Sequence, residues 1–360
     1  MVDPLTVTAL AAAGAYGTTR GLDRVARRRY RAPTSPLGRS VVTSWTETAD
    51  GWRLAVDHHR PAGPPRATVI MCPGLGVNRS FFDLTPEVSL ARRLTRAGFE
   101  VFNCDLRGVG ASAWMGPGAP PPFVFETHVE HDVPALIALA LARSGAHRVH
   151  WVGHSMGGML LLAWLASRPD ERRIASGTIM CSPASFAEAH RQARLAMAAA
   201  DRVSRVMRVP SSVWPWMAPL MPAVRFRTHL LDFGNFDGPV LRALLARSHE
   251  RIETPLLRQF ARYVRDDVWT AEDGFDFRAA LGNVTAPLYF MAGAADRIAP
   301  PGSVESGWRA VASPLKRFDV FGVRTGHAID YCHGGLACGR TAAVEVHPRV
   351  EGWLRERAVD

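Results

Sequence analysis

A chain of 360 residues with 47% apolar side chains and 31 glycines is long enough for one large domain, or for one domain carrying a sizeable insertion, around a buried core. No run of about 18 uninterrupted apolar residues occurs, which excludes a membrane-spanning helix by composition. The formal charge of +10 rests on 43 basic residues, of which Lys316 alone is lysine; over the body they are scattered among 33 acids with no nucleic-acid-reading motif, so a solvated surface and no nucleic-acid partner are expected.

The first forty residues differ from the rest. A weakly apolar segment precedes Arg20, Arg24, Arg27, Arg28, Arg29 and Arg31. A secretory signal puts its positive charges before the apolar run, where Asp3 stands here, so the segment is expected to be a retained basic arm and a candidate for peripheral contact with an acidic membrane surface. Five cysteines, an odd number spread through apolar segments, suggest reduced thiols and a cytoplasmic protein. In 327-HAIDYCHGGLAC-338 the residues His327, Cys332, His333 and Cys338 have no close-set pair of structural-zinc spacing, and no metal is expected.

From residue 41 the predicted elements come in an ordered series. VVTSWTETADGWRLAVDHHRP reads as two strands around the turn at Asp50 and Gly51. ATVIMC (67–72) is a continuous apolar run suited to a strand covered on both faces. PEVSLARRLTRAG is a helix with Gly98 past its end, and FEVFNCD (99–105) the next strand. After the loop GPGAPPP comes the helix ETHVEHDVPALIALALARSGA, whose first turn Pro134 unsettles. RVHWVG (148–153) is a strand backed by the helix SMGGMLLLAWLASR, and GTIMCSP a further strand. The region 184–283 is helix-like and rich in Met, Trp and Arg, an expected inserted cap; PLYFMAG (287–293), KRFDVFG (316–322) and the helix EVHPRVEGWLRER complete the body. Strand and helix alternating at these intervals predict an α/β chain with a mostly parallel sheet, right-handed crossovers and helices on both faces. The expected division is an arm at 1–40, a core at 41–183 and 284–360, and the cap between.

At the junction of RVHWVG with its helix stands 153-GHSMG-157. A turn this tight brings backbones so close that side chains at the flanking positions would collide, and glycine removes the collision. What is gained is an exposed Ser155 hydroxyl with the Met156 amide pointing at whatever it attacks. G-x-S-x-G alone is a weak signal; between an apolar strand and an apolar helix it is strong. Serine needs a base, and the base a carboxylate to fix its tautomer. Asp296 in 293-GAADRIAPP-301 and His327 in 322-GVRTGHAID-330 each follow a strand and so leave the same carboxyl edge as Ser155. His154 is expected to pack inside the elbow, and Asp330 and His333 to fall beyond the strand end, which leaves His327 as the expected base and Asp296 as its partner. Asp105, with Arg107 and two glycines following, reads as a turn-fixing residue. An oxyanion hole is expected from the Met156 amide and from the Leu75 amide between the two glycines of 73-PGLGVN-78.

Together GHSMGG, DLRGVGAS, GAADRIAPP and TGH resemble the serine hydrolases of the α/β-hydrolase superfamily, in the branch of bacterial esterases and lipases with a helical cap, over about residues 41 to 358. Pro73 departs from the histidine many relatives carry there. A looser likeness is to polyhydroxyalkanoate synthases, which use cysteine at the position of Ser155. The resemblance implies an α/β-hydrolase fold with an inserted helical cap, carboxylic ester hydrolysis, no cofactor, and a Ser155, Asp296, His327 triad. An acyltransferase or perhydrolase would keep the same triad, and a non-catalytic, membrane-recruited protein is a third reading. In VWPWMAPLMPAVRF (213–226), Trp214, Trp216, Met217, Met221 and Phe226 are expected to line an apolar acyl pocket for a small-molecule ester or lipid-like substrate.

Overall fold

The computed structural model describes residues 41–188 and 232–358. The basic arm at 1–40 and the proposed pocket residues Trp214, Trp216, Met217, Met221 and Phe226 lie outside the described residues.

Nine strands form one sheet: β1 (Val41–Glu47), β2 (Trp52–His59), β3 (Thr68–Cys72), β4 (Glu100–Cys104), β5 (Ala113–Trp114), β6 (Val149–His154), β7 (Ile174–Met180), β8 (Leu288–Gly293) and β9 (Lys316–Phe321). Their order is β1-β2-β4-β3-β6-β7-β8-β9, with the short β5 paired to β2. β1 and β2 form the expected hairpin, and β2 meets β4 antiparallel; every pairing from β4 onward through β3, β6, β7, β8 and β9 is parallel. The continuous apolar runs are explained by this order. β3, β4, β6, β7 and β8 are buried at every residue, because helices cover both faces, whereas β9 at the edge is only partly covered.

Successive side chains of each strand alternate between two cores. Ile70, Phe102, Trp151, Ile179 and Phe290 face one, against α2 (Val133–Ser144) and α3 (Met156–Ala166). Val69, Val101, Val152, Met180, Tyr289 and Met291 face the other, against α1 (Leu90–Arg96) and α6 (His347–Arg357). The described part of the region between β7 and β8 carries the amphipathic α4 (Thr254–Asp266), and α5 (Pro301–Ala310) links β8 to β9. Gly98 lies just beyond α1 at φ 96°, as the sequence predicts.

Pro134 has a more specific effect than an unsettled first turn. The chain is already helical from Phe125, and a π-helical turn at His128–Asp132 precedes α2. A proline lacks the N–H and crowds the carbonyl four residues back, and a widened turn relieves both. The same turn sets His128 over Asp132, with Nδ1 of the imidazole 2.8 Å from the carboxylate.

Among the described residues no helix is long and apolar enough to cross a membrane.

Candidate active site

β6 delivers Ser155 at φ 53°, ψ −119°, a conformation L-residues avoid, and α3 begins at the next residue. The elbow holds this strain because its neighbours admit no other path. A Cβ on Gly157 would strike the carbonyls of Cys72 and Pro73 at the end of β3, and one on Gly153 would strike the Gly157 carbonyl. Ser155 remains half-exposed while His154 and Met156 on either side are buried. As the first residue of α3, Met156 has an amide with no intrahelical acceptor, at the positive end of a helix.

The loop after β3 runs beside the serine. A Cβ on Gly74 would lie 3.0 Å from that of Ser155, so the backbone of Gly74 passes close against the elbow, with Leu75 next in the chain. Hydrogen bonds anchor the loop to the segment before α4: Glu250 N–H donates to Gly76 O at 2.8 Å, Asn78 N–H to Ser248 O at 2.9 Å and Asn78 Nδ2 to Arg247 O at 2.7 Å.

Asp296 follows β8 as predicted, 4% exposed, with both carboxylate oxygens engaged. Oδ1 accepts the N–H groups of Ile298 and Ala299 at 2.9 Å each. Oδ2 lies 2.8 Å from Nδ1 of His333, so the expected partnership with His327 is replaced by one with His333. His327 instead packs its ring 4.7 Å from that of Phe321, with Nδ1 3.1 Å from Thr325 Oγ1. The physical reason lies in the loop after β9. Residues 323–330 make a largely exposed excursion, and the chain then returns to the sheet end, where Tyr331 N–H donates to Phe321 O at 3.4 Å and Ala295 N–H to Tyr331 O at 2.9 Å. His327 belongs to the excursion; His333, two residues after the re-entry, lands beside the acid loop. The signal in the sequence is the apolar pair Tyr331 and Cys332, both buried, which marks where the chain rejoins the body.

His154 packs inside the elbow as expected and also supports His333. Its Nε2–H donates to the His333 carbonyl at 2.9 Å, and the two rings meet edge to face with centroids 4.8 Å apart. Burial, reinforced by the neighbouring His333, pushes the His154 pKa down to about 3, which keeps this ring neutral at working pH. Cys181, at φ 51° after β7, completes the floor; burial and the adjacent Asp296 carboxylate push its thiol pKa up, so it is protonated. The ligand-type atoms of His154, Cys181 and His333 lie within 4.8 Å of one another. That set differs from the His327, Cys332, His333, Cys338 group considered from sequence, and one nitrogen of each histidine is already engaged, His333 Nδ1 with Asp296 and His154 Nε2 with a backbone carbonyl. Asp105 holds the turn after β4, accepting the N–H groups of Arg79 and Ala111 at 2.7 and 2.8 Å and pairing with the Arg79 guanidinium.

Comparison with known proteins places the chain among hydrolases of this fold. A family model described as serine aminopeptidase, S33, matches residues 63–323. The gastric triacylglycerol lipase of Bos taurus is 32% identical over 123 residues, 31% of either chain, so this chain spans under a third of that relative's length. An esterase from Exiguobacterium antarcticum superposes with a TM-score of 0.58 at 17% identity, covering 89% of this chain and 100% of that one. A thermophilic esterase from Thermogutta terrifontis gives 0.59 at 19% identity, covering 88% and 99%. At these identities the structural likeness speaks for the fold.

Proposed function

This chain belongs to the serine aminopeptidase S33 family of α/β hydrolases, and from that membership we propose that it hydrolyses carboxylic esters through an acyl-enzyme on Ser155, with His333 as general base and Asp296 as its orienting carboxylate. The observation that carries the reading is the 2.8 Å Asp296–His333 bond, formed against the elbow that presents Ser155. Asp296 accepts Nδ1–H, which leaves Nε2 of His333 with the lone pair that a base needs. Ser155 Oγ adds to the ester carbonyl as Nε2 takes its proton, and the amides of Leu75 and Met156 receive the oxyanion. The imidazolium returns the proton to the departing alcohol. Water then repeats the sequence on the acyl-enzyme and releases the acid.

Esters are favoured over peptides by the lining of the cleft beside those amides. An aminopeptidase has to hold a substrate ammonium, and the carboxylate in that lining, Glu253, sits at the rim 3.5 Å from Arg251. The lipase and esterase relatives support the same choice. The test combines fluorophosphonate labelling with turnover of p-nitrophenyl butyrate and of an amino-acid p-nitroanilide. Labelling and ester turnover that both vanish in Ser155→Ala are expected; undiminished turnover by that variant, or p-nitroanilide as the better substrate, would overturn the proposal.

A further inference from the structure

A narrow, partly open cleft lies directly beside Leu75 and Met156. Its rim includes Val109, Ile252, Arg251 and Glu253, all at least partly exposed, and its floor is made of Leu106, Phe123, Met156, Leu256 and His128, all buried. The floor is hydrocarbon except at Arg107, whose guanidinium is paired with Asp132 and Asp50, and at His128. His128 is 1% exposed, its Nδ1 is taken by Asp132 at 2.8 Å, and Nε2 has no hydrogen-bond partner. Among the described residues lining the cleft it is the one buried side chain with an unpartnered nitrogen or oxygen. A buried polar atom left unpaired disfavours the empty cleft, and a ligand that pairs with it recovers that loss.

We propose, resting on the ester reading above, that this cleft is a subsite for an apolar substituent of the substrate that carries a hydroxyl, and that His128 Nε2 bonds that hydroxyl. The charges around the ring select this group over an anion. Arg107, the buried cation at the cleft floor, already answers two carboxylates: Nε donates to Asp132 at 2.8 Å, and its terminal nitrogens to Asp50 at 2.6 and 3.0 Å. At the floor beside His128 no cationic capacity remains for a substrate carboxylate, which would in addition meet the charge of Asp132 and Asp50; Arg251 stands at the exposed rim, beside Glu253. With Nδ1–H donated to Asp132, the neutral imidazole offers an acceptor at Nε2, and the protonated ring a donor. A hydroxyl can give to the first and accept from the second, and its short reach suits a narrow apolar slot. The π-helical turn at His128–Asp132 contributes to the geometry, since it brings the imidazole Nδ1 onto its own Asp132 carboxylate and leaves Nε2 as the ring's uncommitted nitrogen.

The hydroxyl can come from either half of the ester, and matched substrate pairs separate the two. One arm compares p-nitrophenyl 3-hydroxybutyrate and 6-hydroxyhexanoate with butyrate and hexanoate; the other compares 4-hydroxybutyl with butyl butyrate in a pH-stat. Wild-type protein is expected to prefer the hydroxylated member of one arm by about fivefold in kcat/KM, the worth of one neutral hydrogen bond in a dry site. In His128→Asn the side-chain amide can still reach Asp132 from the place of Nδ1 but offers nothing at Nε2, and the preference should fall to about one. Because each ratio compares two substrates on one preparation, a change in active fraction cancels. Wild-type ratios at or below one on both arms, or a preference that survives in His128→Asn, overturn this inference while leaving the ester reading standing. Absence of both ester turnover and Ser155 labelling overturns both.

Discussion

Substituting Asp296 by Asn isolates the tautomer argument, because the two side chains have the same shape. The amide oxygen can keep the N–H groups of Ile298 and Ala299, now 2.9 Å from Oδ1, so the loop after β8 should stay in place. The NH₂ group then faces His333 Nδ1, where Oδ2 stood at 2.8 Å. Two donors cannot face each other, so the imidazole must present the Nδ1 lone pair inward and carry its proton on Nε2, where a base is needed. The expected loss in kcat is on the order of 10³ to 10⁴, the size seen when a triad histidine is held in the wrong tautomer, or roughly 4 to 5.5 kcal/mol of barrier. Folding should change by no more than about 2 kcal/mol, since one charge-assisted bond is weakened and no cavity is made. The assay is kcat with p-nitrophenyl butyrate beside a urea titration of the same preparation. A variant that keeps its wild-type midpoint and a kcat within tenfold of wild type would refute the reasoning.

Other expectations follow from the same contacts. Gly157→Ala would push a methyl group into the carbonyls of Cys72 and Pro73, backbone atoms that cannot turn aside, and should cost about 3 kcal/mol or more in urea unfolding. His347 is sealed with Nε2–H donating to Ala337 O at 2.7 Å, and burial lowers its pKa to about 4 from an ordinary 6.5. The unfolded ring takes a proton in that window and the folded one does not. Stability should therefore be whole above about pH 6.5 and fall as pH drops towards 4, by roughly 3 kcal/mol from this group, with His154 acting in the same direction. Urea midpoints at pH 7, 5.5 and 4.5 check this; a flat series would contradict the buried neutral state.

The body of the fold was legible because its signals are local. Continuous apolar runs such as ATVIMC and LYFMAG have one economical use, a strand covered on both faces, and the glycines around Ser155 mark a backbone collision that coordinates then locate at Cys72 and Pro73. The histidine that meets Asp296 was not legible, because its position depends on where a loop returns. His327 stands at the distance from β9 that a direct exit from the sheet would require, but Thr325 and Asp330 fold residues 323–330 into an excursion, through Thr325 Oγ1 to Val320 O at 2.7 Å and Asp330 Oδ1 to Val323 N at 2.9 Å. No periodicity in the sequence encodes such a detour. The His128–Asp132 pair was likewise invisible as a site, since at i and i+4 it reads as one more polar pair on a helix, and only the packing of Phe123 and Leu106 around it reveals an apolar cleft.

The central claim is the identity of the base, and paired variants decide it. His333→Ala and His327→Ala are assayed side by side for kcat/KM on p-nitrophenyl butyrate and for the rate of fluorophosphonate labelling. The expected result is a loss of at least about 10⁴ in His333→Ala, with His327→Ala within about threefold of wild type. Full activity in His333→Ala, with the loss falling on His327→Ala instead, would contradict the site as described.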